Sequence, residues 1–125
     1  CTGGLFGIGE SWEDRCRFAL ELADLRVVNV PVNFLYPHPG TPLADQPLLE
    51  AGEALRIIAL LRCLLPQATL RVCGGRPQVL GARQADIFRA GANALMTGDY
   101  LTTPGSGVMR DVRMIADAGF EVVRP

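Results

Sequence analysis

A chain of 125 residues is one domain at most, and 49% apolar residues are enough for a sizeable core. Twelve basic and 13 acidic side chains, well mixed, leave a net charge of −1, which argues against nucleic acid or an anionic membrane as main partner. No apolar run approaches the ~20 residues needed to span a bilayer, since the longest, Ile57-Ile58-Ala59-Leu60-Leu61, is flanked by Arg56 and Arg62.

The chain opens with no initiator Met and no signal-peptide pattern. Cys1 runs directly into the glycine-rich turn Gly3-Gly4-Leu5-Phe6-Gly7-Ile8-Gly9-Glu10, so a strand is expected ahead of Cys1, and the sequence reads as part of something longer. Ser11 can cap a helix over 11–25, with Asp14 as its capping-box partner and Trp12, Cys16, Ala19, Leu20 and Ala23 at helical spacing. Residues 27–35 are Val-rich and extended, although Pro31 removes one backbone donor. Tyr36-Pro37-His38-Pro39-Gly40-Thr41-Pro42 is a rigid loop.

A second helix is predicted over 50–65, with Leu55, Ile58, Leu61 and Leu65 on one face and Pro66 as its stop. Thr69–Cys73 reads as a strand and Ala82–Ala90 as a helix closed by Gly91. Ala94–Thr97 reads as a strand, Val108–Ala118 as a helix capped by Gly119, and Phe120–Val123 as an extended tail. Helices thus alternate with strands, the pattern of βα units around a parallel sheet. Three strands in the chain and one ahead of it make four βα units, half of a (β/α)8 TIM-type barrel, which takes about 250 residues.

Strand exits are where such folds bind ligands. Four polar or glycine-rich phrases follow apolar runs: Cys1-Thr2-Gly3-Gly4, Pro31-Val32-Asn33-Phe34-Leu35, Arg71-Val72-Cys73-Gly74-Gly75-Arg76 and Gly98-Asp99-Tyr100-Leu101-Thr102-Thr103-Pro104-Gly105. The thiolate of Cys1 is either a metal ligand at a barrel mouth or a small packed hydrophobe. Arg71 lies inside an apolar strand, sharing a face with Thr69 and Cys73. It either points into the site or pairs with a carboxylate at a strand end. Asn33 faces away from Val32 and Phe34 and needs hydrogen-bond partners, of which a ligand is one. Thr102 and Thr103 offer hydroxyls to a ligand or to their own loop. The glycines of the first turn allow backbone to approach a ligand, and the helix after it favours an anion. Cys16 and Cys63 read as packing, and His38 as structural. No Cys-x-x-Cys pair is present, so reduced thiols in a cytoplasmic setting are the expectation.

In order and at compatible spacing, these phrases resemble the C-terminal half of the biotin synthase family of radical SAM enzymes. The resemblance rests on Cys1-Thr2-Gly3-Gly4 with Gly7-x-Gly9-Glu10, Val30-Pro31-Val32-Asn33-Phe34-Leu35, Pro39-Gly40-Thr41-Pro42-Leu43, Arg71-x-x-Gly74-Gly75-Arg76, and Ala90-Gly91-Ala92-Asn93 with Gly98-Asp99-Tyr100-Leu101-Thr102-Thr103. It covers nearly all of the chain and implies a single partial domain over 1–125, the C-terminal half-barrel. It further implies a 4Fe–4S cluster that reduces S-adenosylmethionine to a 5′-deoxyadenosyl radical, and a 2Fe–2S cluster that supplies sulfur to dethiobiotin. The family holds that second cluster with three cysteines and one arginine. Cys1 matches the last of the cysteines and Arg71 the arginine. Asn33 matches a dethiobiotin contact, Thr102 and Thr103 match positions near its carboxylate tail, and Met96 falls in an apolar wall of that pocket. Gly3, Leu5 and Gly7 match the pattern that contacts the adenine of S-adenosylmethionine, with Leu where Ile is usual, and Tyr36 lies near that ring.

The resemblance also implies the missing N-terminal half-barrel as a partner, a flavodoxin or ferredoxin as electron donor, and a homodimer for the complete enzyme. One departure is large: the Cys-x-x-x-Cys-x-x-Cys motif of the 4Fe–4S site is absent, as are the other two 2Fe–2S cysteines. The 125 residues are therefore expected to be inactive alone. Cys73 stands where a small residue is common, and reads as packing. Two rival readings remain. One is a phosphate-binding barrel using Gly74-Gly75 and the Gly98 loop. The other is an inert half-barrel that serves only folding or association.

Overall fold

The computed structural model describes residues 1–100 and 104–123. Its elements in chain order are β1 (Gly4–Phe6), α1 (Trp12–Asp24), β2 (Asn29–Phe34), α2 (Ala51–Leu64), β3 (Thr69–Val72), α3 (Arg76–Leu80), a 3-10 turn (Gly81–Arg83), α4 (Asp86–Ala90), β4 (Ala94–Leu95) and α5 (Val108–Asp117). The four strands form one sheet in the order β1-β2-β3-β4, and every pair is parallel. Each parallel step needs a crossover, and a helix provides it. This is the arrangement of half a βα barrel. Among the described residues, no helix is long and apolar enough to cross a membrane.

Alternation along the strands gives the sheet two unlike faces. Val30, Val32 and Phe34 of β2 and Leu70 and Val72 of β3 are buried, with Ile57, Ile58 and Leu61 of α2, in one core. The intervening residues, Asn29, Pro31, Asn33, Thr69 and Arg71, are half-buried on the face away from the helices. The stripe expected for α2 is the buried one: Leu55, Ile58, Leu61 and Leu65 all lie in the core.

Several expectations need correction. The fourth strand, placed ahead of Cys1, lies inside the chain at Gly4–Phe6. Three residues between glycines are too short to show a period, so the stretch reads as a turn. The third helix does not run unbroken over 82–90. Within that range only Asp86–Ala90 (α4) is α-helix; Ala82 and Arg83 belong to the 3-10 turn, and α3 lies ahead of it at Arg76–Leu80. The last strand is two residues, Ala94–Leu95, rather than four. In α1 the buried residues are Arg15, Ala19 and Leu22, whereas Trp12 and Leu20 are exposed. The helix is thus rolled away from the stripe that only its apolar residues suggested. Cys63 is exposed rather than packed. The Ser11 capping box does form: its hydroxyl accepts from the Asp14 amide at 3.1 Å and the Asp14 carboxylate accepts from the Ser11 amide at 2.9 Å.

Gly75 shows why one bend at the β3 exit tolerates no side chain. Its φ is +76°, and a Cβ there would run into the Phe34 carbonyl. Gly119, just past α5, has φ +85° but open space around it. Gly75→Ala should cost at least about 3 kcal/mol and Gly119→Ala about 1 kcal/mol, since only the first adds overlap to left-handed strain. Urea denaturation of the two variants measures this. Equal losses would contradict the close approach at Gly75.

Candidate functional site

The strands end together, so their exit loops meet. Register places Leu5 beside Asn33 and Pro31 beside Arg71. The ladder runs on past the strands: the Phe34 amide donates to the Gly74 carbonyl, and the Met96 amide to the Val72 carbonyl. At this end lies a cleft of about 690 Å3 lined by Leu5, Asn33, Tyr36, His38, Thr41, Gly74 and Tyr100, among others. Leu5 and Tyr36 turn large apolar surface into it, each about half exposed.

Asn33 is the polar centre of the cleft, and both ends of its amide are used. Its Nδ2 donates to the Gly4 carbonyl at 3.3 Å, and its Oδ1 accepts from the Gly74 amide at 3.0 Å. One proton and one lone pair are left for a ligand. The same bond consumes the Gly74 amide, one of the donors that the phosphate-binding reading would use.

The first loop is held by its own anion. The Glu10 carboxylate accepts from the Gly7 amide at 3.0 Å and the Ile8 amide at 2.8 Å, and Arg15 Nε donates to it at 2.7 Å. Arg15, buried, also donates to Glu53 of α2 at 2.5 Å. The anion expected at this turn is therefore a side chain of the protein itself. Burial alone would raise the Glu10 pKa, but the Gly7 amide, Arg15 and the Ile8 amide outweigh it and hold it below its ordinary value.

Cys1 and Arg71 stand apart from this cleft. Arg71 lies on the same sheet face as Asn33, one strand over and two residues deeper, roughly 6–7 Å along the strand. Its guanidinium has no hydrogen-bond or ion-pair partner among the described residues, so the alternative of a carboxylate partner is not what the structure shows. The Thr2 amide donates to the Asn29 carbonyl, which puts Cys1 at the deep end of β1 as an exposed free thiol. Gly3 is packed against Pro31, and Gly7 bends the first loop at φ +89°. Met96 is partly exposed at the end of β4 and does not line the cleft. Thr102 and Thr103 lie outside the described residues.

Among the described residues, no three His, Cys, Asp or Glu side chains gather to hold a metal ion. Cys1 and Arg71, the latter without a side-chain partner among the described residues, could at most contribute part of a ligand set on this face. Cys73 adds little to it. Burial pushes its thiol up, against the pull of Arg71 and Arg76, and its Sγ already donates to the Arg71 carbonyl at 3.4 Å.

Sequence reasoning passed over three residues here. Arg76 and Asp111 form a fully buried ion pair at 2.8 Å. The Tyr100 hydroxyl donates to the Cys73 carbonyl at 3.0 Å, tying the loop after β4 to the exit of β3. Asp111 gives no signal in the sequence, since an Asp on an amphipathic helix reads as solvated. Arg76 was visible only as part of a motif.

A family model, described as the Biotin and Thiamin Synthesis associated domain, matches residues 31–121. The chain is 68% identical over 122 residues to a biotin synthase of Desulfovibrio desulfuricans, covering 98% of the chain and 39% of that protein. It is 52% identical over 124 residues to a biotin synthase of Syntrophotalea carbinolica, covering 99% of the chain and 38% of the relative. A third biotin synthase, from Thermodesulfovibrio yellowstonii, is 54% identical over 122 residues, with 98% and 38% covered. The chain therefore spans less than two fifths of the length of these relatives.

The Glu10 network makes a pH prediction. A carboxylate whose folded pKa is depressed stabilises the fold in full above its ordinary value of 4.5, and that contribution is lost as pH falls through the lowered value. Stability should fall with acid in this window, and Glu10→Gln should flatten the dependence. Denaturation midpoints of both proteins from pH 3 to pH 7 read this out. Parallel curves would show that Glu10 gains nothing on folding.

Proposed function

The chain belongs to the family of the Biotin and Thiamin Synthesis associated domain, and on that footing we propose that it is the part of a biotin synthase that carries the dethiobiotin and 2Fe–2S side of the site. The observation that carries this reading is the 68% identity to a biotin synthase across 98% of the chain. The complete enzyme inserts sulfur into dethiobiotin to give biotin, as a radical SAM sulfurtransferase. This chain alone is inactive, since it holds only part of the ligand set.

The sheet face supports a division of labour along the strands. At the deep end, Cys1 and Arg71 would contribute ligands to the 2Fe–2S cluster, thiolate being an ordinary ligand for such clusters. A half-buried guanidinium with no partner among the described residues is costly unless something pairs with it, and an anionic cluster beside it would. When bound, the cluster supplies the sulfur, and S-adenosylmethionine with the 4Fe–4S cluster supplies the hydrogen-abstracting radical. At the strand exits, Asn33 offers dethiobiotin its spare N–H and lone pair, and Thr102 and Thr103 its carboxylate tail partners. Met96, outside the cleft at the end of β4, would offer apolar contact only to a ligand that extends past it. Leu5 and Tyr36 present apolar surface for adenine; Gly3, which lets β1 pack on Pro31, and Gly7, which bends the first loop, shape the backbone that carries Leu5. The N-terminal half-barrel brings the remaining ligands, a flavodoxin or ferredoxin brings electrons, and the complete enzyme is a homodimer. All four cysteines are free thiols, in keeping with a reducing cytoplasm.

The cluster assignment is tested on the complete enzyme. Cys1→Ala should lose the 2Fe–2S absorbance and with it the iron contributed by that cluster, because a soft thiolate bonds iron far better than a guanidine. Deoxyadenosine formation at the separate 4Fe–4S site should survive. Arg71→Met should be milder, keeping most of the iron, because three thiolates remain. Iron analysis and visible spectra give the answer without reference to turnover. A normal 2Fe–2S spectrum in Cys1→Ala would refute the role given to this face.

A further inference from the structure

We propose that Arg15 and Glu53 are positioning residues for the adenine side of the site, bracing the loop after β1 against α2. This rests on the functional reading above, which gives Leu5 and the bend at Gly7 to S-adenosylmethionine, and it adds what holds them in place.

A buried guanidinium between carboxylates is a poor way to gain stability, because apolar residues of similar volume do as well or better. Its presence behind the β1 exit therefore calls for another use, and the contacts supply one. Arg15 lies in α1 with its side chain 4% exposed. Its Nε donates to Glu10 Oε1 at 2.7 Å and its Nη1 to Glu53 Oε1 at 2.5 Å. Glu53 stands in the first turn of α2, the helix whose Ala54, Ile57 and Ile58 lie in the core. Two nitrogens of one planar fork thus join carboxylates on separate elements, which a lysine, with a single nitrogen on a flexible stem, cannot copy. The Trp12 ring packs on the guanidinium at 4.7 Å. An apolar side chain could fill the space but make neither bond.

The other side of Glu10 grips the loop. The Gly7 amide donates to both of its oxygens at 3.0 Å, and the Ile8 amide to one of them at 2.8 Å. Gly7 and Gly9 have φ of +89° and +102°. Glycine has other conformations of similar energy, so the carboxylate and not the backbone's own preference selects this bend. Gly7 is two residues past Leu5, and β1 is only three residues long. Among the described residues, β1 pairs with β2 alone and its other edge has no strand beside it. The grip of Glu10 is therefore a main restraint on the segment that carries Leu5 into the cleft. Asn33 is held otherwise, by the Gly74 amide and the Gly4 carbonyl, ahead of the loop. The brace running from Glu53 through Arg15 to Glu10 thus acts on the adenine side and leaves the dethiobiotin contact alone.

The decisive variant of the complete enzyme is the double replacement Arg15→Met with Glu53→Gln, which leaves Glu53 uncharged and Glu10 still bonded to its two amides. Equilibrium dialysis of the reconstituted enzyme should show the Kd for S-adenosylmethionine raised about tenfold, because the loop is no longer pre-organised. The Kd for dethiobiotin, measured at saturating S-adenosylmethionine, should stay within about twofold, and amide exchange over residues 5–9 should quicken about tenfold. A wild-type Kd for S-adenosylmethionine or wild-type exchange over this loop would overturn the proposal. So would an equal loss of affinity for both ligands, the mark of a merely structural role. Arg15→Lys decides the matter if the double variant does not fold: it keeps a charge between the carboxylates without the fork, so the same split should persist, and an unchanged Kd for S-adenosylmethionine counts against the brace. Should the wild-type enzyme bind no S-adenosylmethionine, the functional reading fails on its own, and the exchange experiment still decides whether Arg15 holds the loop.

Discussion

The parallel register of β2 with β3 is the constraint on which the rest hangs. Strand side chains alternate with a period of two, so a slip of one residue would exchange the faces completely. Val30 beside Leu70 and Val32 beside Val72 send four apolar side chains to the helices. The same register then leaves Pro31 beside Arg71, and Asn33 beyond, on the other face. β1 is joined to the odd-numbered residues of β2: the Thr2 amide donates to the Asn29 carbonyl and the Leu35 amide to the Phe6 carbonyl. Pro31 belongs to this set and has no N–H to give, so the donor it lacks is one that β1 loses. Three residues of β1 are what remains, Gly4 to Phe6.

Much of this was legible in the sequence, because burial and alternation leave a mark on composition. The stripe of α2 and the face of Asn33 follow from period alone. What escaped was decided by contacts between distant residues. β1 is a strand because β2 pairs with it, not because Gly-Leu-Phe favours one. α1 is rolled toward Arg15 because Glu10 and Glu53 both accept from its guanidinium. Periodicity reads an arginine as solvent-facing and rotates the helix the wrong way. The iron–sulfur role proposed for Arg71 rests only on resemblance. A guanidinium is normally protonated and donates, so no spacing argument reaches it as a ligand.

Two buried arginines show how the same side chain serves different ends. Arg15 packs over the Trp12 ring at 4.7 Å and joins the first exit loop to α1 and α2. Arg76 joins the third exit loop to the last helix. Removing one partner of a buried pair costs about 3–5 kcal/mol. An exposed pair such as Arg17–Glu13, 2.8 Å apart on α1, is worth about 0.3–0.5 kcal/mol. Charges placed at exits hold loops, while charges on the outer helices stay solvated. The one cation left without a partner on the sheet face is Arg71, among the described residues.

The central claim is that this sheet face belongs to an enzyme that inserts sulfur into dethiobiotin. The most direct measurement is made on the complete gene product, reconstituted anaerobically with iron and sulfide and given S-adenosylmethionine, a reductant and isotopically labelled dethiobiotin. Mass spectrometry of the products should show labelled biotin together with 5′-deoxyadenosine. Deoxyadenosine with the labelled dethiobiotin returned unchanged, from a protein carrying both clusters, would contradict the account.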